Sequence, residues 1–265
     1  MNFLKVGKYW WKLLGKSAGC KRTGRLLTNL TAHKLLEACR AQGCPVCRLE
    51  QQDVERYLDR RFYESVNSPA WRDSLRASLG FCHEHAWLAV DQRLGDALGF
   101  SIIYHDLLNS VIKQLNDSSG SVPTSRRGAS LLRQVPEQAR RMIEKILSAL
   151  TPRKRCPVCD HRDEMTRSTL SVLVKELPGT EMTDALQASE GLCLPHLRLA
   201  LEQIKDVSDQ EKLLTIHREK LESLSAELAE FIRKNDYQAV KEGFGREGDA
   251  WLRAVRMMVG NKKER

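Results

Sequence analysis

The chain has 265 residues, 42% of them hydrophobic, and a formal charge of +9. That is enough chain to bury a core in one domain or in two similar halves. No apolar run approaches the ~20 residues of a membrane span, which excludes an integral helical membrane protein. Gly and Pro are sparse and nearly every segment has helical periodicity, so the expected class is all-α.

The charge is uneven. Up to Leu36 there are eight basic residues (Lys5, Lys8, Lys12, Lys16, Lys21, Arg22, Arg25, Lys34) and no acid, leaving a near-neutral body. Residues 1–28 therefore read as a basic arm. If residues 3–14 are helical, the lysines share one side, and Phe3, Leu4, Val6, Tyr9, Trp10, Trp11, Leu13 and Leu14 take the rest. This pattern over residues 3–16 suits an anionic membrane surface; packing against the protein's own helices is the competing reading. The lysines also interrupt the apolar stretch that a signal peptide would need, and with the cysteine usage this points to a reducing, cytoplasmic setting.

A helix is expected over residues 31–42, with Leu35, Leu36 and Cys39 on one face and Gly43 as its stop. Cys44-Pro45-Val46-Cys47 follows. Val54, Tyr57, Leu58 and Phe62 then recur at helical spacing, and Asn67-Ser68-Pro69 marks a break. A short return helix with Trp71 and Leu75 leads through Gly80 to Cys82 and His85. Gly95-Asp96 reads as a stop and a new cap, before a helix with Leu98, Ile102, Leu108, Ile112 and Leu115.

Residues 116–130, rich in Ser and Gly, read as a linker between a first helical metal-binding repeat (29–115) and a second (131–235). The second opens on a helix over residues 131–150 and then repeats the first motif letter for letter as Cys156-Pro157-Val158-Cys159. Pro178-Gly179 breaks its long helix, Gly191 precedes Cys193 and His196, and Asp206 ends the helix after them. Ser208 with Glu211 reads as a capping box. Leu214, Leu221, Leu224, Leu228 and Phe231 form a three-four seam. Residues 236–265 give a Gly-containing loop, a last helix capped by Asp249 and closed by Gly260, and a polar tail.

The spacing carries the chemistry. From Cys44 to Cys156 is 112 residues, and from Cys82 to Cys193 is 111, so the chain reads as one duplicated unit. A Cys-x-x-Cys turn presents two sulfurs on one side of a bend, and a Cys-x-x-His at a helix start presents a sulfur and a ring nitrogen. Together they make the closed four-ligand set of a structural zinc site. The expected ligands are Cys44, Cys47, Cys82 and His85 in one half and Cys156, Cys159, Cys193 and His196 in the other, with two zinc ions per chain. Identical spacing favours one site within each half, although ligands crossing between halves would satisfy the same motifs. The helix leaving Cys47 is longer than the one returning to Cys82, so a site within one half requires the chain to bend. His83 is set aside because the second motif has histidine only at the place matching His85. An iron–sulfur cluster and a thiol redox site are the alternative chemistries. His105 and His217, 112 apart, are a candidate functional pair or packed residues; His33, His161, Cys20 and Cys39 carry no pattern.

The stretches GCPVCRLEQQDVERYLDRRFYESVNSP, GFCHEHAW, CPVCD and GLCLPHL, with FIRKNDY and GDAWLRAV near the end, resemble a bacterial family known as a domain of unknown function. Its members are two-halved helical proteins with paired C-P-x-C and C-x-x-H motifs. The resemblance covers roughly residues 35–260 and implies the fold and the ligands, but no activity. No nucleophile constellation, phosphate loop or zinc-protease motif accompanies the cysteines. The expectation is a non-enzymatic scaffold or adaptor that binds another macromolecule. Nucleic-acid binding through the basic arm and iron–sulfur or thiol redox chemistry are the alternatives.

Overall fold

The computed structural model describes residues 22–118, 137–236 and 242–262. The amphipathic arm of residues 3–16 and most of the Ser/Gly-rich linker lie outside them. Eleven α-helices and a 3-10 turn at Arg246–Asp249 make up the secondary structure among the described residues, with no strand. In order they are α1 (Arg22–Cys39), α2 (Pro45–Glu64), α3 (Pro69–Ala77), α4 (His83–Asp91), α5 (Ala97–Ser118), α6 (Glu137–Ala149), α7 (Pro157–Glu176), α8 (Thr180–Ala188), α9 (Leu194–Leu201), α10 (Val207–Lys234) and α11 (Ala250–Val259).

The breakers act where the sequence places them. Pro45, Pro69 and Pro157 each sit in the first turn of their helix, where a missing N–H costs nothing. Asp96 accepts the Gly99 amide at 2.6 Å and starts α5. One cap differs: α10 is capped by Asp206, whose carboxylate accepts the amides of Ser208 and Asp209, and not by Ser208. The aspartate is one residue outside the first helical turn, where its charge also faces the positive end of the helix.

The long helices α2 and α7 pack side by side and antiparallel. Glu50 meets Thr166 at 2.9 Å, while further along α2 Asp53 meets His161 at 2.8 Å. His161, which carried no pattern in the sequence, also stacks on Tyr57 with ring centroids 3.8 Å apart.

Two cores flank this pair, and neither belongs to one half of the sequence. The first collects Leu170 and Leu173 of α7, Leu177 just after it, Met182 and Leu186 of α8, Leu192, Leu197 and Leu213, yet it also takes Leu35, Cys39, Cys44 and Val46. The second collects Val54, Leu58 and Phe62 of α2 with Trp71, Leu75, Ala89, Ile103 and Leu107, and takes Cys156 and Val158. The two valines of the repeated CPVC motif, 1% and 0% exposed, each plug the core built by the other part of the chain. A smaller cluster of Leu221, Leu224 and Leu228 with Ala250, Ala254 and Met257 docks α11 on α10. Of the predicted three-four seam of α10, Leu221, Leu224 and Leu228 thus meet an intramolecular partner, whereas Leu214 is exposed.

Candidate metal centres

Each of the four motifs begins at a helix N-terminus. Cys44, Cys82, Cys156 and Cys193 are the N-cap residues of α2, α4, α7 and α9, and none uses its side chain to cap the helix. Cys47, His85, Cys159 and His196 follow three residues later. An N-cap side chain and the one three residues on lie on the same side of the first turn, as they do in a capping box. Local helix geometry therefore aims each pair at one point, and the helix dipole favours negative sulfur there.

The pairs meet across the chain. Cys44 and Cys47 join Cys193 and His196; Cys82 and His85 join Cys156 and Cys159, with the ligand atoms of each set within 4.8 Å of one another. This corrects the expectation of one site inside each half: all eight residues are brought into two sets of three cysteines and a histidine, but each set takes two ligands from each half. The two helix lengths explain why. At ~1.5 Å per residue, the 20 residues of α2 carry the chain about 30 Å away from Cys44, and the nine of α3 bring it back only about 14 Å. Cys82 therefore ends beside the start of the antiparallel α7.

The distances fit a tetrahedral ion. With Zn–S near 2.3 Å and Zn–N near 2.0–2.1 Å, sulfurs should stand ~3.8 Å apart and sulfur and nitrogen ~3.6 Å apart. In the first set, Cys47 Sγ and Cys193 Sγ are 3.7 Å apart, and His196 Nδ1 lies 3.5, 3.4 and 3.2 Å from the sulfurs of Cys44, Cys47 and Cys193. In the second, Cys82 Sγ and Cys159 Sγ are 3.6 Å apart, and His85 Nδ1 lies 3.2, 3.3 and 3.8 Å from Cys82, Cys159 and Cys156. A disulfide needs ~2.05 Å. The residues could hold two soft cations such as zinc, which thiolates select over magnesium or calcium.

The surroundings of the two histidines are opposite. Glu50 Oε2 stands 3.3 Å from His196 Nε2. Burial opposes charge on this imidazole, but the Cys47 sulfur and the Glu50 carboxylate outweigh it and raise its pKa to about 9. Burial, reinforced by the Arg162 guanidinium, lowers His85 to about 4. Among the sulfurs, hydrogen bonds from Cys44 and Cys47 lower Cys193 to about 4, whereas burial pushes Cys44 and Cys156 up and, with the Cys82 thiol, raises Cys159 to about 12. A cation entering either set must displace the remaining protons.

Other sequence candidates separate. His83 is exposed. His105 and His217 do not form a pair: His105 is exposed beside Asn109, and His217 is 1% exposed. His217 Nε2 accepts the Leu192 amide at 2.9 Å, and Nδ1 donates to the Leu213 carbonyl at 2.8 Å, so the ring fixes the backbone entering Cys193. Cys39 is buried beside the Ser189 hydroxyl; Cys20 lies outside the described residues. Glu50 is not among the residues that the sequence motifs single out. Its place three residues after the second cysteine of CPVC, on the side of the helix that meets α7, is the signal that would have found it.

His217 gives a measurable consequence. Truncation to alanine leaves the Leu192 N–H buried without an acceptor, a loss of about 1–3 kcal/mol. Burial first, then the nearby Lys220 charge, lowers its pKa below 6.5 despite the Leu213 carbonyl. A group lowered on folding binds its proton more readily when unfolded. Its stabilising contribution is therefore complete above pH 6.5 and is lost as pH falls below that value. Denaturant midpoints at pH 7.5 and 5.5 should fall more steeply in the native chain than in His217→Ala. Equal slopes would show that His217 is not held neutral by the fold.

The model of the family of unknown function DUF6062 matches residues 30–265. The chain belongs to that family. It is also similar to the uncharacterized 23.9 kDa protein in the xynA 3' region of Caldicellulosiruptor sp. (strain Rt8B.4), at 24% identity over 232 residues, covering 86% of this chain and all of the relative. No solved structure matches. No described helix is long and apolar enough to cross a membrane.

Proposed function

We propose that this DUF6062 protein is a non-enzymatic scaffold or adaptor in which two zinc ions tie together the two halves of a duplicated helical unit. The observation that carries the reading is the exchange of ligands: each four-donor set draws two ligands from each side of residues 116–130. An ion so held is a cross-tie between distant parts of the chain. Four protein donors also complete a tetrahedral zinc, leaving no position for a substrate or an activated water. Protein purified without a metal-affinity tag should contain two zinc ions per chain by elemental analysis. One ion or none would overturn the two-site reading, and two equivalents or more of iron with visible colour would replace it with an iron–sulfur protein.

A further inference from the structure

The four-ligand sets share a donor list, yet their surroundings are built differently. Three observations bear on this.

The first is the partner of each histidine. A ligating histidine is held in orientation and tautomer by what its other nitrogen meets, and loss of that partner typically costs 10–100-fold in metal affinity. His196 meets Glu50 at 3.3 Å, and Glu50 is itself held by the Thr166 hydroxyl at 2.9 Å and faces Arg162 at 3.9 Å. In the second set the corresponding place, three residues after the second cysteine of CPVC, is Arg162. A guanidinium has no acceptor to offer an imidazole N–H. Among the described residues, carboxylates pair with His33, His161 and His196, and His85 has none.

The second is the chain's end. Helix α11 is docked on α10 and ion-paired through Arg253 to Glu227 and through Arg256 to Glu190. It delivers Gly260 and Asn261 onto the first set. The Asn261 side chain accepts the Cys44 amide at 2.8 Å and donates to the Cys44 carbonyl at 3.1 Å. Gly260, at φ +96°, runs so close that a Cβ there would stand 3.1 Å from Cys47 Sγ and 3.7 Å from Cys193 Sγ. A groove of about 530 Å3 is lined by Cys47, Cys193 and His196 of this set, and Gly260, Asn261 and Glu50 form part of its wall. No glycine of the described residues approaches a sulfur of the second set in this way.

The third is exposure. In the first set only Cys47, the sulfur under Gly260, is part-exposed; in the second, both Cys82 and Cys159 are.

We infer that the set of Cys44, Cys47, Cys193 and His196 is the retained site, held by Glu50 and the Gly260–Asn261 clasp, and that the set of Cys82, His85, Cys156 and Cys159 is the labile one, through which the protein exchanges a thiophilic divalent cation with its surroundings. This rests on the metal reading above. Glu50 acts here as a positioning residue, through His196.

The test is release of zinc from the full-length, two-zinc protein to a chromogenic chelator, with rates followed by absorbance. One ion per chain should leave in a fast phase and the second at least tenfold more slowly. Glu50→Gln and Asn261→Ala should each speed the slow phase, by about 10–100-fold for Glu50, and leave the fast phase where it was. A general loosening of the fold would move both phases. The assignment is checked on the native chain by quenched cysteine alkylation and mass spectrometry: Cys82, Cys156 and Cys159 should be labelled in step with the fast phase, and Cys44, Cys47 and Cys193 only with the slow one. Both ions leaving in one phase, or the reverse labelling order, overturns this inference and leaves the two-zinc reading standing. A chain that binds no cation overturns both.

Discussion

Cys44→Ser combined with Cys47→Ser should abolish the cooperative thermal transition of the whole protein and not of its first half alone. Structural zinc contributes an apparent ~10–16 kcal/mol in small zinc-binding domains, against ~5–15 kcal/mol of net stability for a typical domain. Were the site local, the second half could survive. It is not local, because the two serines would face Cys193 and His196 at the start of α9, and the same segment contributes Cys44 and Val46 to the core built on α7 and α8. Circular dichroism melting should show the loss, and hydrogen exchange should show where it falls: α9 and α7 should lose protection together with the start of α2. Undiminished protection in α9 would sink the cross-tied architecture.

Leu35→Ala should lower stability by about 2–5 kcal/mol, the range for emptying a fully buried leucine site. Leu35 is 0% exposed and lies on α1, before the first metal motif, yet the core cluster that contains it also holds Leu170 and Leu173 of α7 and Met182 and Leu186 of α8. The sequence already put Leu35, Leu36 and Cys39 on one helix face; the structure says which core that face enters. Urea unfolding of the metal-loaded protein measures the loss. A change under 1 kcal/mol would mean that α1 lies on the surface of the fold and is no part of its core.

These outcomes separate what residues decide locally from what the fold decides. The identity of the eight candidate ligands was legible because it depends only on short-range geometry. Cysteine at an N-cap with cysteine or histidine three residues on points two donors the same way wherever the helix lies, and Pro at the first turn marks the helix start. The helix breaks at Asn67-Ser68-Pro69, Gly95-Asp96 and Pro178-Gly179 were legible for the same reason. The capping of α10 was misread by two residues, since Asp206 and Ser208 are both able caps and only the path of the chain after α9 chooses between them.

The pairing of the motifs could not be read this way. The two Cys-x-x-His motifs present the same donors, so nothing in either one tells Cys44 which to meet. Which it meets is set by the ~30 Å length of α2 against the short return of α3, and by the antiparallel packing of α2 on α7 that brings Tyr57 over His161 and Glu50 to Thr166. Likewise nothing in GDAWLRAVRMMVGN announces that Gly260 covers two sulfurs of residues 47 and 193; that contact exists because α11 docks on α10 more than two hundred residues after Cys47. The sequence by itself determined the helices and the donors, because those follow from interactions within one turn of chain. Only the tertiary structure decided which candidate donors come together and what surrounds them, because those follow from where long, stiff helices end.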